Sequence, residues 1–326
     1  MADYYLDTDV IGGTGDGSSW ANAFASLSAA VSGLTISEDS TLNCRGAAAD
    51  TTSVILNGMG ADTYTLTIKG DWPGGTYSTS RYRLESTSRD LIQSEERKVT
   101  FDHLQFKMGN TGSYLSAIDF QPGSAVGTYT CNVLDCIVDG NGGRGVCLFA
   151  GSGAAGSTFN VERTIIYDIQ AGSTSSCAVT GYDSDVAVTV DHCTVYNFGA
   201  GRGLRRGSTG SFDVTNTLVF KTPNDFDGTF TSINYCASDD GDGTNAVTIT
   251  QTANDYAALV TDAPGGDFSP TDGSSQLVGA DSTGGDIGAI PFSSTGPIQQ
   301  AVAGVFSSTG SLTRKVNYKR TLTGAI

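Results

Sequence analysis

VTFDHLQF (99–106), CNVLDCIV (131–138), FNVERTII (159–166), VTVDHCTV (188–195) and FDVTNTLV (212–219) carry one pattern. In each, an interior side chain alternates with an exterior one, a two-residue polar bend follows, and the alternation resumes. A period of two belongs to strands, so each segment reads as two short strands joined by a bend. The interior columns are Val99/Cys131/Phe159/Val188/Phe212, Phe101/Val133/Val161/Val190/Val214, Leu104/Cys136/Thr164/Cys193/Thr217 and Phe106/Val138/Ile166/Val195/Val219. The segments start 32, 28, 29 and 24 residues apart. A constant core pattern at variable spacing predicts coils of one solenoid whose loops differ in length.

The rest of the chain agrees with this reading. Its 326 residues include 43 Gly and only 7 Pro, with turn-forming Ser, Thr, Asp and Asn between short β-branched runs. That composition predicts an all-β fold. A net charge of −16 argues against nucleic acid and against an anionic membrane surface as partners. No apolar run reaches the roughly 18–20 residues of a membrane span, so no membrane insertion is expected. MADYYLDTDV has neither a basic n-region nor an apolar h-region, so no secretory signal is expected. The seven cysteines match no zinc spacing, and Cys131, Cys136 and Cys193 fall on interior columns. They read as small hydrophobes in a chain folded in a reducing cytosol.

Three regions follow. Residues 1–39 read as an N-terminal cap, in which Ser18 or Ser19 caps a short amphipathic helix carrying Trp20, Phe24, Leu27 and Ala30. A solenoid end exposes core and unpaired backbone, so a cap is required there. Residues 40–293 hold the coils. Early strands are expected at STLNCRG, SVILNG and TYTLTIKGDW, and a third strand per coil at SAIDF (116–120), GVCLF (145–149) and CAVTG (177–181). At about 28 residues per coil there are roughly nine coils, making a rod of about 40 Å. Residues 294–326 form a basic tail. Every acidic residue lies at or before Asp286, whereas Arg314, Lys315, Lys319 and Arg320 follow it. SLTRKVNYKRTL alternates enough to add as a strand, folding back on its own rod or docking on a neighbour through Arg314, Lys315, Tyr318, Lys319 and Arg320.

The repeated block resembles the right-handed single-stranded parallel β-helix of the pectin-lyase-like superfamily. GDGSSWANAFASLSAA resembles the opening cap of such proteins, and DFSPTDGSSQLVGADSTGGDIGAI (267–290) resembles their closing coil. The tail resembles the C-terminal ends of β-helix proteins encoded in bacteriophage genomes. The fold hosts lyases, hydrolases, esterases and inert rods alike, so the likeness does not select a chemistry.

Enzymes on this fold need carboxylates projecting from successive coils. Glu162 and Asp191 occupy equivalent bend positions of adjacent coils, which places them about 5 Å apart, the separation of a retaining glycosidase pair. Arg163 sits beside them and Asp135 one coil away. The plainer reading is that polar residues fill this bend because it faces water. Asp102-His103 and Asp191-His192 look like acid–histidine pairs, but roughly 14 Å of stacking separates them. Each is expected to be a solvated bend. DDGDG (239–243) and DTDVIGGTGDG (7–17) faintly suggest calcium loops without the EF-hand spacing. No cofactor is expected beyond such a structural calcium ion.

Outward positions are more telling. Before the bend they are Thr100, Asn132, Asn160, Thr189 and Asp213; after it, Gln105, Ile137, Ile165, Thr194 and Leu218. Ile137, Ile165 and Leu218 on one face predict a cover, either a long loop of the same chain or a neighbouring subunit. Sparse chemistry and the phage-like tail together imply a virion structural protein. Such a capsid decoration or head-fibre subunit would fold in the host cytoplasm and contact capsid or neighbouring copies of itself. The alternative is a tailspike depolymerase acting on host surface polysaccharide; a bacterial adhesin or lyase ranks third.

Overall fold

A computed structural model describes residues 1–290, apart from 61–62, 87–89, 110–115, 122–126, 144, 152, 170–175, 200, 209, 250–258 and 272–275. The chain divides into two units, Met1–Ser293 and Ser294–Ile326. The tail residues Arg314, Lys315, Tyr318, Lys319 and Arg320 lie outside the described residues.

The first unit is a parallel β-helix solenoid. Among the described residues its first sheet has nine strands: Ala2–Asp7, Ser40–Arg45, Leu66–Lys69, Lys98–Asp102, Thr130–Leu134, Ser157–Glu162, Val186–Asp191, Ser211–Thr215 and Ser232–Asn234. A second sheet of eight strands runs from Leu84–Ser86 through Ile137–Asp139 and Ile165–Ile169 to Val247–Thr248. A third of seven runs from Val54–Leu56 through Val146–Ala150 and Cys177–Gly181 to Phe226–Asp227. Successive coils pair in parallel, and their register reproduces the sequence columns: Val99, Cys131, Phe159, Val188 and Phe212 are Cα partners in turn. Each of these five side chains is buried. The strands at Ile118–Phe120, Val146–Ala150 and Cys177–Gly181 are the expected third strands.

The bend has a repeated backbone conformation. His103, Asp135, Arg163, His192, Asn216 and Tyr235 all adopt a left-handed φ of 46–54°. That conformation is uncommon outside glycine, though Asn, Asp and His tolerate it best. Here it is held by stacking. The amides of His103, Asp135, Arg163 and His192 each donate to a carbonyl of the following coil (Leu134, Glu162, Asp191 and Thr215), at 3.1–3.2 Å. One coil earlier the equivalent position is Gly70. A Cβ there would lie 2.2 Å from the His103 carbonyl oxygen, so only glycine fits.

The residue after the bend explains the cysteines. Cys136, Thr164, Cys193, Thr217 and Cys236 are buried in one column. Each thiol or hydroxyl donates to the carbonyl two residues before it, as with Cys136 Sγ to Leu134 O at 3.2 Å and Thr217 Oγ1 to Thr215 O at 2.8 Å. Cys and Thr are therefore interchangeable as small donors that satisfy a bend carbonyl. All seven cysteines are free and buried, and burial pushes the Cys177, Cys193 and Cys236 thiols up to about 12. We expect a thiol-reactive dye to label none of the seven in native protein and all of them in denaturant. Rapid native labelling would contradict this packing.

Two expectations about the ends need correction. Ala2–Asp7 is already a strand, paired in parallel with Ser40–Arg45, so the first sheet begins inside the expected cap. The predicted single helix from Ser18 is also broken. Trp20–Asn22 is a 3-10 turn and the α-helix is only Leu27–Gly33, capped by Ser26 Oγ accepting from Ala29 N at 3.1 Å. Phe24 breaks it, because its amide and carbonyl pair with Tyr5 and Asp7 along the open edge of the first strand. Covering that edge outweighs helical spacing. At the far end, TSINYCAS (231–238) is a sixth copy of the repeat: Ile233 pairs with Val214 and Ala237 with Leu218. Thr231 replaces its first apolar residue, which hid it from the pattern.

Candidate functional site

The bend column is where the proposed acid pair lies. Glu162 and Asp191 are Cα partners, as expected. Their side chains, however, turn to different partners. Arg163 binds Asp135 of the preceding coil through two parallel bonds, Nε to Oδ1 at 2.7 Å and Nη2 to Oδ2 at 2.8 Å, and pairs with Glu162 through Nη1. Such a two-pronged guanidinium–carboxylate contact is the strong geometry for this pair. Asp191 accepts from Thr215 Oγ1 at 2.6 Å and Asn216 Nδ2 at 2.9 Å, and its Oδ2 lies 3.0 Å from His192 Nδ1. Burial would raise Asp191, but hydrogen bonds from His192, Thr215 and Asn216 hold it below the usual carboxylate range. A retaining glycosidase needs one of its two acids protonated near neutral pH. Asp191 is shifted the wrong way for that role.

His192 was expected to be a solvated bend residue. Instead its Nε2 lies 3.0 Å from Oδ2 of Asp281, a residue 89 positions later whose side chain is only 4 % exposed. Oδ1 of Asp281 accepts from Thr283 N at 2.6 Å, Thr283 Oγ1 at 2.9 Å and Gly285 N at 2.7 Å. The hydrogen bond to Asp191 raises His192 above the ordinary histidine value, with Asp281 adding to it against burial. Burial opposes the shift of Asp281, yet bonds from His192, Thr283 and Gly285 hold it well below the usual range.

Ile137, Ile165 and Leu218 need the same kind of correction. They were expected among the partner contacts, but all three are buried within the chain itself. With Tyr167, Tyr196 and Phe220 they form a second apolar cluster together with Leu259, Val260, Phe268, Leu277 and Ile287. The Phe268 ring packs 5.2 Å from Tyr167 and 5.7 Å from Tyr196. Trp72 covers part of the same cluster from the 71–83 loop, whose Ser78 amide donates to Gln105 Oε1 at 2.6 Å. The same-chain cover thus fills the role left open for a neighbouring subunit.

The acidic loops resolve differently. In DTDVIGGTGDG, Asp9 accepts from the amides of Ala47 and Ala48 and ties its loop to that segment, and Asp16 accepts from Ser18 N and Thr14 Oγ1 and closes its own turn. In DDGDG, Asp239 and Asp240 converge with Asp225 within 4.8 Å. Burial, then the hydrogen bond with Asp239, pushes Asp225 up to about 9. Asp102, His103 and Asp135 also converge within 4.8 Å, but Lys69 pairs with Asp102 at 3.2 Å and Arg163 with Asp135. Two of these three groups are therefore already paired with cationic side chains.

Asp119, like Asp281, carries no mark in the sequence. Asp119 lies in the third sheet, in the column Gln93, Asp119, Phe149, Thr180, Arg205 and Asp227. It is 8 % exposed, its Oδ1 has no hydrogen-bond partner among the described residues, and burial with Asp90 nearby pushes it up to about 7. IDF reads as an ordinary strand, and only burial of its central acid marks it. No family model matches the chain, and no curated protein or solved structure matches it either.

Proposed function

We propose that this chain is a structural subunit of a bacteriophage particle, a rigid β-helix projection anchored through its basic 294–326 tail to capsid or to neighbouring copies. The observation that carries the non-catalytic part is the engagement of the acid pair. Glu162 is paired with Arg163, and Asp191 with Thr215, Asn216 and His192. A hydrolytic pair must keep one acid free to donate and one free to attack or activate water. Seven buried free thiols support folding in a reducing compartment. The charge asymmetry between an acidic body and the Arg314–Arg320 cluster supports docking by the tail.

The test is to locate the protein in purified particles by quantitative mass spectrometry and electron microscopy, with many copies expected per particle. Deleting 294–326 is expected to abolish particle binding while the circular dichroism of the solenoid stays unchanged. Full binding by the truncated chain would overturn the docking role.

Asp119 favours a second reading, a depolymerase acting on host surface polysaccharide, because a carboxyl raised to about 7 suits a general acid. Host glycan incubated with the protein is expected to show no new reducing ends. Reducing ends that disappear in Asp119→Asn would establish the enzyme there. Their loss in Glu162→Gln or Asp191→Asn would place it at the bend instead.

A further inference from the structure

The closing segment is held by two very different attachments. One is the apolar seam of Phe268, Leu277 and Ile287 on the second sheet. The other is polar and belongs to the bend column. Asn216 accepts from Ser282 N through Oδ1 and from Gly288 N through its carbonyl, both at 2.9 Å, and Thr194 Oγ1 accepts from Ala289 N at 2.9 Å. At its centre stands His192, between Asp191 on the solenoid and Asp281 on the segment.

A ring with a carboxylate oxygen on each nitrogen has one satisfactory protonation state. The imidazolium donates from both Nδ1 and Nε2. The neutral ring donates from one only, and turns a lone pair toward the other carboxylate. Deprotonation therefore removes a charge-assisted bond and leaves Asp281, nearly buried, without its cation. At the bends of the three preceding coils the cover is interrupted. A cavity of about 80 Å³ separates Trp72, Pro73 and Gly74 of the first covering loop from Ala289 and Ile290, over His103, Asp135, Arg163 and Ile165.

We propose that residues 277–289 are a latched strap, held to the solenoid by the Asp191–His192–Asp281 bridge, which opens when His192 loses its proton and uncovers the apolar face around Ile165 and Leu218. Among the described residues, the charged and titratable groups around this bend fit the assignment. Asp191 comes from its own strand, Asp281 from the strap, and Arg163 with its partner Glu162 from the preceding coil; Thr215 and Asn216 of the following coil are neutral. The thiols of Cys193 and Cys236 are buried and held protonated. Because His192 is raised in the folded state, its stabilisation is complete below the ordinary histidine value and is lost as pH rises through the folded one. Because Asp281 is lowered, its contribution is present above the ordinary carboxylate value and is lost only in strong acid. The latch is therefore closed below the ordinary histidine value and opens as pH rises through the raised one.

Hydrogen exchange by mass spectrometry across pH 5–9, corrected for intrinsic rates, reads the latch directly. Amides of Ser282, Thr283, Gly285, Gly288 and Ala289 are expected to lose about ten- to a hundredfold protection, the worth of one charge-assisted bond. The midpoint should match the titration of His192 by NMR. The chain has only two histidines, and His103→Gln assigns the resonances. Amides of 188–191 should keep their protection. His192→Gln and Asp281→Asn should show the lower strap protection at every pH, with no midpoint. Strap protection in the wild type that stays constant through the His192 titration would overturn the proposal, even where a variant fails to fold. So would wild-type strap protection in His192→Gln.

Discussion

Phe159→Ala will lower the unfolding free energy by about 3–5 kcal/mol, the range for removing a fully buried aromatic ring from a core that cannot close up. Phe159 is 0 % exposed, with Cys131 and Val188 as its Cα neighbours in the stack. Its ring stacks on Phe120 of the third sheet, with centroids 5.7 Å apart at 16°. The cavity would therefore open between two sheets as well as between coils. Urea denaturation measures the loss, and Asn160→Ala is the internal control. Asn160 points outward from the same strand and only bridges Asn132 Oδ1 and Thr189 Oγ1 in a side-chain ladder. Its loss should stay within about 1 kcal/mol, the net worth of a typical hydrogen bond. Coils in a solenoid couple chiefly to their neighbours, so exchange protection should fall most in 131–138 and 188–195. Equal effects from Phe159 and Asn160 would contradict the inward and outward assignment of the whole column.

That assignment was legible because it is local. Alternation within eight residues decides which side chains meet, and stacking repeats the decision coil after coil. Val133, Val161 and Val190 needed no long-range information to be placed together. The same reasoning failed where partners are distant in sequence. Nothing near His192 announces Asp281, so an acid–histidine bend looked solvated when one of its two carboxylates comes from a strap. The signal that did exist was apolar. Ile137, Ile165 and Leu218 on an outer face called for a cover, and Tyr167, Tyr196 and Phe220 two residues further along made the same demand. That pattern specifies an apolar cover without naming it. Periodicity also misled at Phe24, whose helical spacing lost to the unpaired edge of Ala2–Asp7. Asp119 was hidden for a different reason, since its unusual chemistry comes from burial alone.

The strap gives the second large effect, and a choice between the two possible covers. Phe268 is 2 % exposed and packs against the rings of Tyr167 and Tyr196. Phe268→Ala is expected to cost the attachment of the closing segment about 3–5 kcal/mol, and Ile165→Ala beneath it about 2–5 kcal/mol. A surface substitution would stay within about 0.5 kcal/mol. The strap can leave while the coils remain folded, so the loss should appear as local opening before global melting. Limited proteolysis is then expected to cut within 259–289 more than a hundredfold faster in Phe268→Ala, with the solenoid fragment surviving. Dye binding should reveal the uncovered face of Ile137, Ile165 and Leu218. This effect differs from that of the polar latch in its pH dependence: removal of an aromatic ring weakens the seam equally at pH 6 and pH 9, whereas His192 acts only across its own titration. If Phe268→Ala and Ile165→Ala both leave proteolysis and stability unchanged, the outer face of the second sheet is not closed by its own chain, and a neighbouring subunit becomes its cover.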